Sequence, residues 1–359
     1  MTIDPAAHAA LLCDWALGVG DGDQVVVRSS AAATPLLLEL HAAILERGAW
    51  PFLRIELEGQ QEQFLTRAHD RQLDELPSLT RTDAEAGTTH LYIDAPFNTR
   101  ALAGVDPARQ ARLRRTMEPI FGLRRDKPWC VTIWPTEAHA QEAGMSLRAF
   151  AEFVNRALLL DRDDPAAGWR ELSERQEELI ARLRGRSEIR IEASGTDLRL
   201  KVDGRTWVNS DGRHNMPSGE IFTGPIEDSA NGTIRFTIPA NPPGASLQGV
   251  SLTFRDGEVV AASAERGDDA LQGALATDPG ARRLGELGIG TNFGIDRAVG
   301  STLLDEKIGG TVHLALGRSY RETGGVNESA LHWDLVCDLR EGGRLSADGE
   351  PLLENGAFV

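Results

Sequence analysis

The 359-residue chain is 41% hydrophobic and 26% charged, the composition of an ordinary folded protein rather than a disordered or fibrous one. Its 54 acidic residues outweigh 38 basic ones, and the resulting formal charge of −16 repels phosphate backbones and anionic lipid, so no nucleic-acid partner is expected. There is no basic-then-apolar leader and no apolar run of about 18 residues, and the three scattered cysteines, Cys13, Cys130 and Cys337, form neither a CxxC pair nor a disulfide framework. The expectation is a reducing, cytoplasmic location without membrane contact.

At this length two domains are the default. The first half alternates strand-like and helix-like segments. Residues 25–28 read as a strand behind a Gly-Asp-Gly-Asp turn. Thr34-Pro35 then opens a helix that ends at Gly48 and carries Leu37, Leu40, Ile44 and Leu45 on one side. Residues 52–57, 90–94 and 129–134 read as further strands, and Asp106-Pro107 opens another helix. The β-α-β-α order predicts a mostly parallel sheet flanked by helices. Ser146 then caps a helix with Phe150, Phe153, Val154, Ala157 and Leu158 at stripe spacing. Asp164-Pro165 starts the next, with Trp169, Leu172, Leu179, Ile180 and Leu183 on one face and Gly185 as its C-cap.

Beyond Gly185 the texture changes to short strands and glycine turns at residues 189–193, 198–202, 233–238, 251–254 and 258–262. Residues 1–185 are therefore assigned to an α/β N-terminal domain and 186–359 to an α+β, antiparallel-sheet C-terminal domain. Two glycine clusters are set aside. Gly18-Val-Gly20-Asp-Gly22 precedes its strand and reads as a turn. Gly288-Ile-Gly290-Thr-Asn-Phe-Gly294 lacks the spacing of a nucleotide cradle.

The chemistry concentrates near the C-terminus. As a strand, residues 331–339 send Leu331, Trp333, Leu335, Cys337 and Leu339 to one face and His332, Asp334, Val336 and Asp338 to the other. His332 and Asp334 then point the same way, a pairing that an amphipathic strand also produces by itself. A second apolar segment, Thr311 to Tyr320, is interrupted by His313, which reads either as a ligand or as a core histidine. Glu220 and Glu286 stand between glycines and apolar residues, where acids are seldom left unpaired. Carboxylates and imidazoles converging from separate segments suit divalent ions that activate a water for hydrolysis.

At these residues the sequence resembles the dinuclear-metal thermophilic aminopeptidases, the family of aminopeptidases T, S and II. The matching blocks are Asn215-Met-Pro-Ser-Gly-Glu-Ile-Phe-Thr-Gly-Pro225, Leu284-Gly-Glu-Leu-Gly-Ile-Gly290, His313-Leu-Ala-Leu-Gly317 with Tyr320, and Asn327-Glu-Ser-Ala-Leu-His-Trp-Asp334. Weaker matches run through Val105-Asp-Pro-Ala-Arg109 and Trp134-Pro-Thr-Glu-Ala-His-Ala-Gln141. The resemblance implies a β-rich metal-binding C-terminal domain, a homodimer and removal of N-terminal amino acids from peptides with a free N-terminus. It implies two divalent metal ions per chain held by Glu220, Glu286, His313, His332 and Asp334, with Glu286 as the bridge. Oxygen and nitrogen ligands of this kind suit Zn, Co, Mn or Mg alike.

Tyr320 matches the family's active-site tyrosine, a metal ligand or an oxyanion donor, against a reading as a core tyrosine. Glu306 matches the acid that precedes the first histidine, although the residue after it is lysine where the family pattern has asparagine. It is a general base or outer-shell partner, or else forms a structural salt bridge with Lys307. His214, Asp211 and His139 lie near matching blocks as further substrate-contact candidates. The rival functions are a non-catalytic metal or peptide-binding protein on the same fold and a metallohydrolase of non-peptide amino-acid amides.

Overall fold

The structure, a computed structural model, describes residues 3–124, 126–240 and 246–359. It divides into two compact units, Met1–Trp169 with Gly212–Pro217, and Arg170–Asp211 with Ser218–Val359.

The first unit is built on an all-parallel sheet of β1 (Gln24–Ser30), β2 (Trp50–Glu56), β3 (Thr89–Asp94) and β4 (Trp129–Ile133) in the order β2-β1-β3-β4, with the short strand Asn215–Met216 added beyond β4. Val25, Val26 and Val27 are all buried, as a central parallel strand covered on both faces requires. The helix Thr34–Glu46 starts with Pro35 in its first turn and buries Leu36, Leu37, Leu40 and Ile44. Leu45, expected on that side, is exposed. Residues 36, 40 and 44 stand about one turn apart, while position 45 is rotated some 100° beyond Ile44. The helix Leu147–Ala157 begins where expected, with Ser146 Oγ accepting from the Ala149 amide at 3.2 Å. Three short helices not anticipated from the sequence, Gln60–Arg67, Asp70–Asp74 and Ser78–Ala86, bury only Leu65, Leu73 and Ala84 respectively, too little apolar surface to print a period.

The second unit contains two antiparallel sheets. The larger has eight strands in the order Glu258–Ser263, Ser251–Arg255, Asn231–Arg235, Thr196–Lys201, Glu188–Ala193, Arg344–Ala347, Glu350–Glu354 and Ala357–Phe358. The smaller consists of β5 (Val208–Ser210), β6 (Glu220–Thr223), β7 (Leu284–Gly290), β8 (Thr311–Gly317) and β9 (His332–Asp338) in the order β9-β8-β7-β6-β5. Fold class is as the sequence predicts: a parallel sheet with helices in the N-terminal part and antiparallel sheets in the C-terminal part.

Period-2 alternation gives the smaller sheet two different faces. Ile221, Leu287, Ile289, Val312, Leu314, Leu316, Leu335 and Cys337 enter one apolar core with Ile189, Ile191, Leu198 and Leu345 of the larger sheet. Each large aliphatic buried there contributes roughly 1.5–3 kcal/mol. Those contacts fix the register, and with it everything on the opposite face, because a one-residue slip would carry every apolar side chain out of the core.

Candidate metal centre

Register places the candidate residues side by side. Across the sheet, Gly290 pairs with Glu220, Gly288 with His313, Ala315 with both Glu286 and Asp334, and Gly317 with His332. Each functional side chain thus has glycine or alanine opposite it on at least one neighbouring strand, which leaves room above the sheet, while Val336 stands on the other side of His313 and Ser210 on the other side of Glu220. A bulge helps. The β7–β8 register shifts between Leu284 and Glu286, so Leu284 enters the core while Glu286 faces the site, although strict alternation would put both on one side.

Glu220 is anchored through its backbone. The buried Gln176 amide donates to the Glu220 carbonyl, and Gly219, at φ 112°, runs so close to Asn292 that a Cβ would lie 2.6 Å from the Asn292 Cβ. Gln176 was missed from the sequence. Its only signal is a polar residue within the buried stripe of the helix Pro165–Leu183.

His313 is fully buried, with Nε2 3.3 Å from Glu220 Oε2 and 3.3 Å from Glu286 Oε1. The other Glu286 oxygen lies 3.5 Å from His332 Nε2, and Asp334 Oδ1 is 3.8 Å from that same nitrogen. His332 Nδ1 donates to the Arg318 carbonyl at 2.8 Å, which leaves the Nε2 lone pair facing the carboxylates. Potential ligand atoms gather in three overlapping triplets, Glu220/Glu286/His313, Glu286/His332/Asp334 and Glu306/His313/Asp334, each within 4.8 Å. Glu286 is common to the first two.

Lys307 resolves one open reading of Glu306 without displacing the other. Its fully buried ammonium pairs with Glu306 and also with Glu220 Oε1 at 2.8 Å, so the salt bridge belongs to the cluster itself. Burial alone would lift the Glu306 carboxyl, but the charges of Lys307 and His313 and the Lys307 hydrogen bond outweigh it and hold Glu306 below its ordinary value. Next to it, buried Asp305 accepts from the Val299 and Gly300 amides at 2.7 and 2.9 Å, tying down the loop that presents Glu306.

Tyr320 is 40% exposed, yet its hydroxyl lies 3.4 Å from His332 Nε2 and its ring packs 5.6 Å from Phe222. It lies at the site and is no core tyrosine. Burial of the hydroxyl and then the charges of Glu286 and Asp334 push its pKa well up, so the phenol keeps its proton. The remaining candidates are engaged elsewhere in hydrogen bonds or stacking: Asp211 accepts from Ser173 at 2.9 Å, His139 meets Asp94 at 3.3 Å and His214 stacks on Trp129.

These residues fit a divalent metal ion. Four carboxylates, Glu220, Glu286, Glu306 and Asp334, surround one ammonium and the His313 and His332 imidazoles, and Glu220 Oε2 and Asp334 Oδ1 are buried without a hydrogen-bond partner. A polar atom orphaned in this way costs about 1–3 kcal/mol, and a cation satisfies it. Burial would depress the His313 pKa, but the Glu286 hydrogen bond and the surrounding carboxylates raise it to about 10, while burial, followed by the charges of Glu306 and Glu286, lifts Asp334 to about 7. In the metal-free protein these sites hold protons that a metal must displace. Loading at about pH 7.5 should therefore release about one proton per chain or more, and affinity should climb as pH rises toward the His313 value. Calorimetry in buffers of different ionisation enthalpy reads the number; zero release would place His313 outside the ligand set.

A buried cluster of carboxylates and imidazoles on an antiparallel sheet is a donor set suited to divalent metal ions. Residues 5–358 match the thermophilic metalloprotease (M29) family, and the chain belongs to it. It is 31% identical to aminopeptidase 2 of Geobacillus stearothermophilus over 98% of this chain and 97% of that protein. It is 27% identical to aminopeptidase T of Thermus thermophilus over 97% of each. With these relatives it is a metallo-aminopeptidase, a hydrolase. The structure of wild-type AmpT from Thermus thermophilus covers 99% of both chains at a TM-score of 0.86 and 24% identity, a likeness of fold. The 2,5-dihydroxypyridine dioxygenase of Pseudomonas putida KT2440 shares the architecture at a TM-score of 0.57 and 15% identity, over 99% of this chain and 96% of that one. The fold thus also occurs in an enzyme named for another chemistry, so the family match and not the fold carries the activity. Among the described residues no helix is long and apolar enough to cross a membrane.

Proposed function

We propose that the protein removes N-terminal amino acids from peptides using two divalent metal ions held by Glu220, Glu286, His313, His332 and Asp334, within a catalytic domain drawn from residues 186–359. The observation that carries this reading is that the two oxygens of Glu286 face different histidines, Oε1 3.3 Å from His313 Nε2 and Oε2 3.5 Å from His332 Nε2, which suits a bridging carboxylate. When bound, such ions supply Lewis acidity, making a water more acidic and polarising a carbonyl oxygen.

The chain's own groups do the rest. Glu306, kept ionised beside Lys307, accepts a proton as general base and returns it to the leaving amine. Tyr320, which keeps its proton, donates a hydrogen bond to the oxygen that becomes negative in the tetrahedral transition state. The surplus of carboxylates attracts the substrate's free ammonium. The same reading takes the chain to be a cytoplasmic homodimer.

The test is hydrolysis of leucyl-arylamide by protein stripped with chelator and then given Zn, Co, Mn or Mg singly. Turnover restored by metal, and absent with the N-acetylated substrate, is the expected result. No turnover with any metal, despite two ions bound per chain, would instead favour a binding protein or another amide as substrate. Changing Tyr320 to Phe should lower kcat by about 10²–10³-fold, the size of a lost oxyanion donor, with KM nearly unchanged. A pure KM effect would remove the tyrosine from the transition state.

A further inference from the structure

The site already contains a cation of its own. Lys307 is 0% exposed, and its ammonium makes the two oxygens of Glu220 unequal. Oε1 is taken by Lys307 at 2.8 Å, while Oε2 is buried, lacks a hydrogen-bond partner and lies 3.3 Å from His313 Nε2. Only Oε2 is left for a metal. The Glu286/His332/Asp334 triplet differs, since among the described residues neither of its carboxylates pairs with a lysine or arginine.

A positive charge bonded directly to a ligand carboxylate both withholds one of its oxygens and repels a dication nearby, and burial strengthens that repulsion. Resting on the metal-centre reading above, we propose that Lys307 is a positioning residue that acts as a resident cation, making the Glu220/Glu286/His313 group the weaker of the two metal groups. The ions then load in order: the Glu286/His332/Asp334 group fills first, and the ion beside Glu220 is the exchangeable one.

The sign of a mutant effect separates this from a merely structural lysine. A lysine that only braces Glu220 would, once removed, let the carboxylate wander and weaken metal binding. A resident cation, once removed, frees Glu220 Oε1 and cancels the repulsion, so binding tightens while the geometry used in turnover is disturbed.

The experiment is calorimetric titration of the chelator-stripped full chain with Mn²⁺ alone. Wild type should show two steps whose Kd values differ by about tenfold or more. Glu220→Gln should lose the weaker step and Asp334→Asn the tighter one. Lys307→Met should tighten the weaker step by about tenfold or more, with circular dichroism reporting the fold. Should that variant fail to fold, Lys307→Gln, neutral but still able to hydrogen-bond, carries the same expectation. Unchanged or weaker binding in a folded neutral variant overturns the proposal, and so does loss of the tighter step in Glu220→Gln, a result that needs no change at Lys307. Absence of Mn²⁺ binding by wild type would sink the metal-centre reading and the proposal with it.

Discussion

Replacing Glu286 with glutamine should lower kcat/KM by about 10³-fold or more, the scale seen when a member of a cooperating catalytic unit is removed, and should reduce bound metal to at most one ion per chain. The reason is geometric. One Glu286 oxygen lies 3.3 Å from His313 Nε2 and the other 3.5 Å from His332 Nε2, so a single side chain serves two of the three ligand triplets. Glutamine keeps the volume but carries no charge, and its amide nitrogen must replace one of those acceptors. The fold should not suffer. In the metal-free cluster Glu286 is one of four carboxylates but is also the hydrogen-bond partner that holds the proton on His313, so removing its charge relieves like-charge repulsion and gives up that ion pair together, two effects of opposite sign. The Tm of metal-free Glu286→Gln should therefore stay within a few degrees of that of metal-free wild type. Kinetics, elemental analysis of bound metal and thermal unfolding check the three parts, and near-normal turnover with two ions bound would rule out a bridging role.

What could be read before the fold was known follows a physical boundary. The shared orientation of His332 and Asp334 came from alternation along one strand, and β9 shows it, with Leu335 and Cys337 turned into the core. Local rules also found the helix that starts at Thr34 and the one capped by Ser146. Convergence of Glu220, Glu286, His313 and the β9 pair depends instead on the sheet order β9-β8-β7-β6, which brings together segments more than a hundred positions apart, and no local period encodes that. Family resemblance supplied those residues. Strict alternation misleads at the Gly285 bulge, where a Cβ would lie 2.4 Å from the carbonyl oxygens of Gly317 and Arg318, so only glycine permits the shift that aims Glu286 at the site. Lys307 was visible as a partner for Glu306. Its second bond, to Glu220, requires the loop before β8 to lie against the start of β6.

Gly288 shows how a residue passed over in the sequence acquires a role from its neighbours, and it leads to the second large expected effect. Its run of glycines begins along strand β7, where Gly288 stands opposite His313. A Cβ built at Gly288 would lie 2.0 Å from Cε1 and 2.2 Å from Nε2 of the His313 ring, far inside contact distance. Gly288→Ala should therefore push the imidazole off its position between Glu220 and Glu286, weakening metal binding by about 10–100-fold, as loss of ligand orientation does, and lowering turnover at least as much. Gly288 does not have the left-handed backbone that disfavours side chains, so alanine adds no conformational penalty and the whole effect is steric. The fold should lose only about 1–3 kcal/mol from overpacking. Gly290→Ala is the control two residues along the same strand, since its Cβ would meet the Ile308 carbonyl oxygen at 2.0 Å rather than an imidazole. That variant should lose stability first, with metal affinity per folded chain better preserved than in Gly288→Ala. If the two variants showed the same split between Tm and metal affinity, or if Gly288→Ala bound metal like wild type, the space above Gly288 would not be what holds the imidazole in place.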